Sequence, residues 1–268
     1  MTPMTPMTFA ADMNEMLALE SIDRDIFRGW NTVDAKVKPA LYGGQVAAQA
    51  LMAAGRTVTA DRAPHSLHGY FLRPGNPKRP VLLQVHRDRD GRSFSARHVS
   101  ALQDGEVIFS MLASFHVPEA GATVDLVPTS PALEPESCAP RGDFALLDIR
   151  AAVPDDPELD RGTPPYMWIR SRVTVPADPL TQACALTYVS DLGSGFGQLD
   201  VPGLAKGGPS IDHALWFHEP VDVNQWLLLE LWPSKAGGAR GVYAGSLRDQ
   251  RGVLGATLVQ EMLLRTFN

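Results

Sequence analysis

The sequence is poor in cysteine, in long apolar runs and in targeting signals. Cys138 and Cys184 are its two cysteines, too few for a disulfide framework or a thiolate metal site. No apolar run approaches the roughly 18 residues that span a bilayer. The N-terminal stretch 1–7 lacks the basic start and apolar centre of a secretion signal, and the C-terminal residues 265–268 are not a peroxisomal address. These absences predict a cytoplasmic protein that does not use a membrane as a partner.

Several catalytic and metal-binding motifs are also missing. The chain has no G-x-S-x-G nucleophile elbow, no H-E-x-x-H and no Gly-Lys phosphate loop. His65 and His68 are three residues apart on a predicted strand, so they would lie on opposite faces and not share a metal. The five-residue spacing of His213 and His218 fails the same test. We therefore expect neither a metal nor another cofactor.

Positive charge is scarce overall but concentrated in one segment. The net charge of −6 argues against a nucleic-acid partner. Between residues 56 and 97, however, nine basic residues face only three acidic ones. The basic residues are Arg56, Arg62, Arg73, Lys78, Arg79, Arg87, Arg89, Arg92 and Arg97. This segment is either a solvated surface or a region that attracts a polyanionic small molecule, such as one carrying phosphates.

The order of predicted elements is the same in both halves of the chain. An Ala-rich stretch, Gln45–Val58, predicts a buried helix, and Gly43 and Gly44 before it would leave N–H groups open to a ligand. The predicted strands of the first half are Ser66–Leu72, Val81–Arg87, Ser95–Leu102 and Val107–Val117. The second half is predicted as strand Tyr166–Val175, helix Leu180–Leu192, and strands Ser210–His218, Trp226–Leu231, Ala239–Leu247 and Gly255–Leu264.

This repetition indicates an internal duplication. Phe71-Leu72-Arg73-Pro74 parallels Phe217-His218-Glu219-Pro220, at an offset of 146 residues. We expect an α+β fold of two similar units, residues 1–117 and 166–268, each with one helix and antiparallel strands. Prolines interrupt residues 118–165, which predicts a linker without regular elements, except for one short ordered piece at Asp143–Ile149.

Two polar residues of the second half stand in apolar strands. Asp212 lies among Ile211, Ala214 and Leu215, and it is either a surface carboxylate or one kept for chemistry. Strand alternation places Gln260 in a row of apolar side chains, where it either bonds a backbone group or orients a water or substrate oxygen. At the offset of 146 residues, their counterparts are Ser66 and Ser114. One copy of the repeat is therefore specialised.

Longer motifs resemble one family. They are Gly43-Gly44-Gln45, His65-Ser66-Leu67-His68-Gly69-Tyr70-Phe71-Leu72-Arg73-Pro74-Gly75, Arg89-Asp90-Gly91-Arg92-Ser93-Phe94, Ala113-Ser114-Phe115, Ser210-Ile211-Asp212-His213, Ala239-Arg240-Gly241 and Val259-Gln260-Glu261. Together they are similar to the acyl-CoA thioesterase II family over nearly the whole chain outside the linker. The resemblance implies a double hotdog fold, two helix-and-sheet units joined through their sheets, and hydrolysis of fatty acyl-CoA thioesters.

The resemblance also implies a catalytic set. The family uses an Asp, a Thr and a Gln to activate a water, and the matching positions here are Asp212, Ser234 and Gln260. Serine keeps the hydroxyl but loses the methyl group that restricts the rotamer. Met262 replaces the usual glycine close to the site.

Substrate contacts are expected at four further positions. The helix N–H groups near Gly43 and Gly44 would stabilise the oxyanion, and Arg87 and Arg89 would meet the nucleotide phosphates.

Two other functions of the same fold stay open at this point. Since Ser234 and Met262 depart from the family pattern, the chain could bind acyl-CoA without turning it over. A dehydratase would need a catalytic His with a carboxylate on or near its helix, and Gln45–Val58 contains neither residue type. Whether the protein hydrolyses acyl-CoA or only binds it, its expected partner is acyl-CoA. The formation of a homo-oligomer stays an open alternative.

Overall fold

The computed structural model describes residues 9–33, 40–129, 132–142, 144–152, 166–199 and 201–265. The α-helices within these residues are α1 (Met13–Leu17), α2 (Gly43–Gly55) and α3 (Pro179–Ser190). The strands are β1 (Glu20–Asp23), β2 (Ile26–Gly29), β3 (Ala63–Phe71), β4 (Val81–Asp90), β5 (Phe94–Gln103), β6 (Glu106–His116), β7 (Leu147–Ala151), β8 (Tyr166–Ser171), β9 (Asp212–Phe217), β10 (Leu227–Gly237), β11 (Arg240–Asp249) and β12 (Leu254–Leu263).

All the described strands belong to one antiparallel sheet that contains the two repeats side by side. Its order is β1-β2-β4-β5-β6-β3 for the first half, continuing as β9-β12-β11-β10-β8-β7 for the second. The two halves meet where β3 pairs with β9. The expected double hotdog, two units joined through their sheets, is confirmed.

The register between β3 and β9 shows how the two duplicated halves are related by symmetry. Tyr70 pairs with Asp212 and Ser66 pairs with Trp216, while His68 pairs with Ala214. At the offset of 146 residues the first two pairs exchange, and the third maps onto itself. A local two-fold axis therefore passes between His68 and Ala214.

The helix α2 is the centre of the first half because small side chains allow close packing on every side. Twelve of its residues, from Gly44 to Gly55, are buried, and α2 packs against α3 as well as against the sheet. The main apolar core contains side chains of both helices and both halves, such as Leu51, Phe109, Leu186 and Leu229. The helices thus lie on the inner face of the sheet and do not cover its outer face.

The proline-rich segment differs from its prediction. The short ordered piece is present, but it is a paired strand, β7, at the edge of the second half. In the order of the sheet, β7 corresponds to β1, so it belongs to the repeat rather than to a linker draped over the surface. We propose that the second unit begins before residue 166. Residues 153–165 and the expected N-terminal tail at 1–8 lie outside the described residues.

Candidate active site

The Asp212 carboxylate stands at the first residue of β9, where the two halves of the sheet meet. Its Oδ1 accepts a hydrogen bond of 2.8 Å from the backbone N–H of Glu261. Its Oδ2 lies 3.0 Å from Nε2 of His68, a residue of the first half. The side chain is only 19% exposed. Asp212 is therefore a fixed, partly buried carboxylate and not a freely solvated surface group.

His68 reaches Asp212 across the junction of the two halves. His68 pairs with Ala214, and Asp212 is two residues before Ala214, so the two side chains share the outer face as diagonal neighbours. The imidazole is 47% exposed, and its ring lies 5.1 Å from that of Tyr70. The sequence motif contained His68, but the distance in sequence concealed its pairing with Asp212.

Gln260 is at the centre of a buried polar network on the inner face. Its Nε2 donates to Asp191 Oδ1 at 2.9 Å and to the Ser210 hydroxyl, and its Oε1 lies 2.5 Å from His213 Nδ1. Because the amide oxygen can only accept, Nδ1 carries the proton of His213. Burial lowers the pKa of His213, and its Nε2 lies 2.8 Å from the hydroxyl oxygen of Ser190.

The network uses both N–H groups of Gln260, so neither is left for a water. Gln260 is also not beside Asp212. In the register of β12 and β9, Leu258 pairs with Leu215, which places Gln260 opposite His213 and Glu261 opposite Asp212. The expectation that Gln260 and Asp212 hold one water is thus not met by direct contact. Glu261 is the residue that joins them, through the backbone.

Asp191 is a site residue that the sequence analysis missed. It follows α3, and its Oδ2 accepts a 2.7 Å hydrogen bond from the N–H of Gly44 at the start of α2. Burial raises the pKa of Asp191, although His213, Gln260 and the Gly44 N–H oppose that effect. A carboxylate at the negative end of a helix is unfavourable, and this could have marked the residue in the sequence.

The two glycines are required by close packing as well as by any ligand. A Cβ at Gly43 would lie 2.7 Å from Asp191 Oδ2, and one at Gly44 would lie 2.6 Å from the carbonyl oxygen of Tyr188. The N–H of Gly44 is bonded to Asp191 and is not open, contrary to the expectation for both glycines. Gly43 is the first residue of α2, so its N–H has no intrahelical acceptor.

Ser234 lies apart from this constellation. It is an exposed residue at the break in the β10–β11 register, between Pro233 and Lys235. Pro233 pairs with Tyr243, which in turn pairs with Gln260, so two strand spacings, about 10 Å, separate their backbones. Within the described part of the chain, the Ser234 hydroxyl has no hydrogen-bond partner. Tyr243, between them, is fully buried, and its pKa is raised by burial and by Asp191 and Asp212.

The two predicted phosphate-binding arginines lie on β4, four strands from Asp212 in the sheet order. At about 4.8 Å a strand this is roughly 19 Å. Arg87 holds Asp25 through two hydrogen bonds of 3.0 and 2.8 Å, which lowers the pKa of that carboxyl. Arg89 is exposed. The structure therefore leaves Arg89 as the more available cation of the two.

The position related to Asp212 by the local two-fold axis is built differently. There the start of β3 meets the start of α3 beside an apolar cavity of about 570 Å³, lined by Ala63, Pro64, Pro179 and Phe217 among others. Asp178 caps α3 by accepting from the N–H of Thr181 at 2.9 Å, and Pro179 follows it. At α2, by contrast, no side chain of the N-cap residue Tyr42 bonds the helix N-terminus. The two helix starts thus differ. The start of α3 is capped by its own Asp178, whereas the start of α2 has no side-chain cap of its own and is bonded by Asp191.

Two features are absent from the described residues. They contain no group of three or more His, Cys, Asp or Glu side chains placed to hold a metal ion. No helix within the same residues is long and apolar enough to cross a membrane.

Two family models match the chain. An acyl-CoA thioesterase N-terminal domain matches residues 32–116, and an acyl-CoA thioesterase C-terminal domain matches residues 129–264. The second match includes β7, in agreement with its place in the sheet.

Curated relatives and solved structures agree with those models. Acyl-coenzyme A thioesterase 8 of Homo sapiens is 36% identical over 93% of this chain and 88% of its own length. Acyl-CoA thioesterase 2 of Haemophilus influenzae is 35% identical over 93% of this chain and 96% of its own. The crystal structure of the acyl-CoA thioesterase II TesB2 from Mycobacterium marinum is 36% identical, covers 96% of this chain and 98% of its own, and superposes with a TM-score of 0.78. The chain therefore belongs to the acyl-CoA thioesterase family.

Proposed function

We propose that this protein hydrolyses fatty acyl-CoA to a free fatty acid and coenzyme A, with Asp212 driving the attack of a water molecule on the thioester. The observation that carries the proposal is the fixed Asp212 carboxylate at the junction of the halves. Ile211 bonds the Phe71 N–H through its carbonyl at 2.9 Å, and the Phe71 ring lies against Gly43. Phe71 thus links the residue before Asp212 to the start of α2.

The chemistry follows from these two features. A water whose proton is drawn towards Asp212 attacks the thioester carbonyl carbon, and negative charge develops on the carbonyl oxygen. The positive end of α2, with the N–H of Gly43, stabilises that oxyanion. Collapse of the intermediate breaks the carbon–sulfur bond, and the leaving thiolate takes the proton from Asp212, so that coenzyme A leaves as the thiol and Asp212 is again a carboxylate.

In this proposal Gln260 does not bind the water but holds neighbouring side chains in place. With both of its N–H groups engaged, it ties Asp191 and His213 to β12, next to the Glu261 N–H that holds Asp212. Ser234 takes part only if β10 brings its hydroxyl closer, so its contribution is expected to be small. Arg89, with Arg87, attracts the phosphates of the nucleotide from a distance.

The test is steady-state hydrolysis of acyl-CoAs of several chain lengths, followed by thiol release. Asp212→Asn should lower kcat by about 100-fold or more, which is the usual contribution of a general base to the rate. Ser234→Ala should stay close to the wild-type rate. Asp148→Asn is the matched control, since it removes the carboxylate that pairs with Arg170 in the same half. Wild-type turnover by Asp212→Asn would remove Asp212 from the mechanism.

The same assay decides the second candidate, a hotdog protein that binds acyl-CoA without hydrolysing it. The observation that favours it is the exposed position of Ser234, which leaves the expected catalytic set incomplete. Saturable binding of acyl-CoA with no release of thiol at any chain length would establish this function.

We also propose the cytoplasm as the compartment. The two cysteines, Cys138 and Cys184, are buried free thiols, and a reducing compartment keeps them in this form.

A further inference from the structure

The hydroxyl of Tyr243 is buried and has no hydrogen-bond partner within the described residues. Buried phenols normally have a partner, because an O–H without one loses the hydrogen bonds that it makes to water. In the described part of the chain, Gln49, Arg62 and Arg248 also have one unbonded buried atom each, but these side chains bond through their other polar atoms. The hydroxyl is the whole polar content of the Tyr243 side chain, so its position needs another explanation.

The Tyr243 side chain lies beside the polar network at the start of α2. Tyr243 pairs with Gln260 across β11 and β12, and it belongs to the main core on the inner face. Gln260 donates to Asp191, which accepts from the Gly44 N–H. Burial and the Asp191 carboxylate raise the pKa of Tyr243, and Tyr243 in turn helps to raise the pKa of Tyr42, the N-cap residue of α2. The phenol is therefore close enough to the carboxylate and to this helix end to interact with both.

The equivalent position in the first half is filled in a different way. At the offset of 146 residues the counterpart of Tyr243 is Arg97, which is also fully buried. Its guanidinium donates to Thr57 Oγ1 at 2.8 Å, to Asp90 at 2.7 Å and to three backbone carbonyl oxygens. Arg97 thus spends its donors on holding the first half together, whereas the donor of Tyr243 is bonded to no described group.

We propose that the Tyr243 hydroxyl is a second hydrogen-bond donor to the thioester carbonyl oxygen, beside the N–H of Gly43. This rests on the proposed hydrolysis and leaves Asp212 as the group that draws the proton from water. The Gly44 N–H is bonded to Asp191 and is not available to the substrate. An oxygen that becomes an oxyanion is stabilised best by several preorganised donors, and the Tyr243 O–H adds one to the Gly43 N–H.

The role requires no proton transfer to or from Tyr243. Its raised pKa keeps the phenol protonated at neutral pH, so it donates a hydrogen bond and retains its proton throughout. The carbonyl oxygen of the resting thioester is a weaker acceptor than the oxyanion, so the donor acts mainly in the transition state. Loss of such a donor lowers kcat and leaves KM nearly unchanged, whereas loss of a group that only shapes the binding site changes KM.

The experiment uses Tyr243→Phe, which removes one oxygen and keeps the ring against Phe196 and the backbone of Gly195. With the acyl-CoA that the wild type hydrolyses fastest, kcat should fall by about 100-fold, the usual effect of losing one oxyanion donor. KM should stay close to the wild-type value. The urea midpoint of unfolding should not decrease, because the hydroxyl has no bond to a described group to lose.

Two other tyrosines supply the controls. Tyr166→Phe removes the same oxygen from β8, next to the far edge of the sheet, and should keep the wild-type kcat and KM. Tyr42→Phe removes a hydroxyl that donates to the Tyr188 carbonyl oxygen at 2.8 Å. Its urea midpoint should decrease, which shows that the denaturation assay detects the loss of one buried hydrogen bond.

The outcomes separate this inference from the function on which it rests. A wild type that binds acyl-CoA but releases no thiol would end the proposed function and the inference with it. An active wild type whose Tyr243→Phe variant keeps its kcat would overturn the inference alone, whether or not KM rises. A decreased urea midpoint in Tyr243→Phe, with or without slower turnover, would assign the hydroxyl a structural bond and would overturn the inference as well.

Discussion

At the scale of single residues, Arg87 and Arg89 show how equal charges acquire unequal roles. They stand two positions apart on β4, but Arg87 is engaged by Asp25 in a two-bond ion pair. An ion pair presents little net field to a distant anion, whereas the exposed Arg89 retains its charge. Sequence counts of basic residues do not register this difference.

Replacing both arginines by alanine should raise KM for acyl-CoA, because less positive charge meets the nucleotide phosphates. Arg89→Ala alone should account for most of the increase, and the effect should weaken in high salt. Steady-state kinetics at two ionic strengths measures both. Arg170→Ala, near the far edge of the second half, makes the same change in net charge as Arg89→Ala and should leave KM unaltered. An unchanged KM in the double variant would contradict phosphate attraction by this strand.

The sequence indicated some site residues and could not indicate others. Asp212 and Gln260 were detectable because burying a polar side chain in an apolar strand costs free energy unless the side chain is hydrogen-bonded. Such a residue is therefore a candidate for a specific role. Asp191 was hidden in the apolar run at the end of α3, and its contact with Gly44 joins residues 147 positions apart. The distance from Ser234 to Gln260 depends on the register of three strands. No local pattern contains that information.

At the scale of elements, the two helix N-termini differ in how they are capped. Asp178 closes α3 with its own side chain. The start of α2 is bonded instead by Asp191, from the end of α3. The cap of one helix thus depends on correct packing of the other, and Gly44 is the residue at which they touch.

Gly44→Ala should therefore destabilise the protein although alanine favours helices. Its Cβ would lie 2.6 Å from the Tyr188 carbonyl oxygen, a backbone atom that cannot move alone. Overpacking of this kind costs about 1–3 kcal/mol. Chemical denaturation measures the free energy of unfolding, with Gly237→Ala as control, because a Cβ there meets nothing within 4 Å. Equal stability of the two variants would show that the helix contact is looser than described.

Element prediction succeeded where alternation was regular and failed at the sheet edges. Helices α2 and α3 were recovered from their composition, and the long strands were recovered because apolar and polar residues alternate between clear turns. Strand β1 was missed because all four of its residues are exposed and offer no pattern. β10 continues to Gly237, beyond the predicted end at Leu231, and it passes through Pro233, a residue type that normally interrupts strands.

At the scale of the whole molecule, a buried titratable network connects stability to pH. His213 is fully buried and its pKa is lowered by that burial. Below about pH 6.5 the unfolded chain protonates this ring while the folded protein does not. The unfolded state then binds more protons, so stability falls as pH falls. Asp191, with its raised pKa, acts in the opposite sense.

The free energy of unfolding should accordingly decline between pH 7 and pH 5 in the wild type. The slope contributed by His213 is at most about 1.4 kcal/mol per pH unit, the value for one proton. His213→Gln, which cannot be protonated, should show a flatter dependence whatever its absolute stability. Denaturant titrations at several pH values give these slopes, with His86→Gln, an exposed histidine, as control. Parallel slopes in wild type and His213→Gln would exclude the ring as the source.

The local two-fold axis has a consequence for how such a site could arise. In a homodimer of single units every substitution occurs twice, and a residue on the axis must face its own copy. A histidine there would oppose a histidine, and a carboxylate gained at one site would be gained at both. Fusion of the two units in one chain removes that constraint, so His68 can face Ala214 while Asp212 matches Ser66. Each half was then free to change independently, and residues from both halves could build one of the two related sites without building the other.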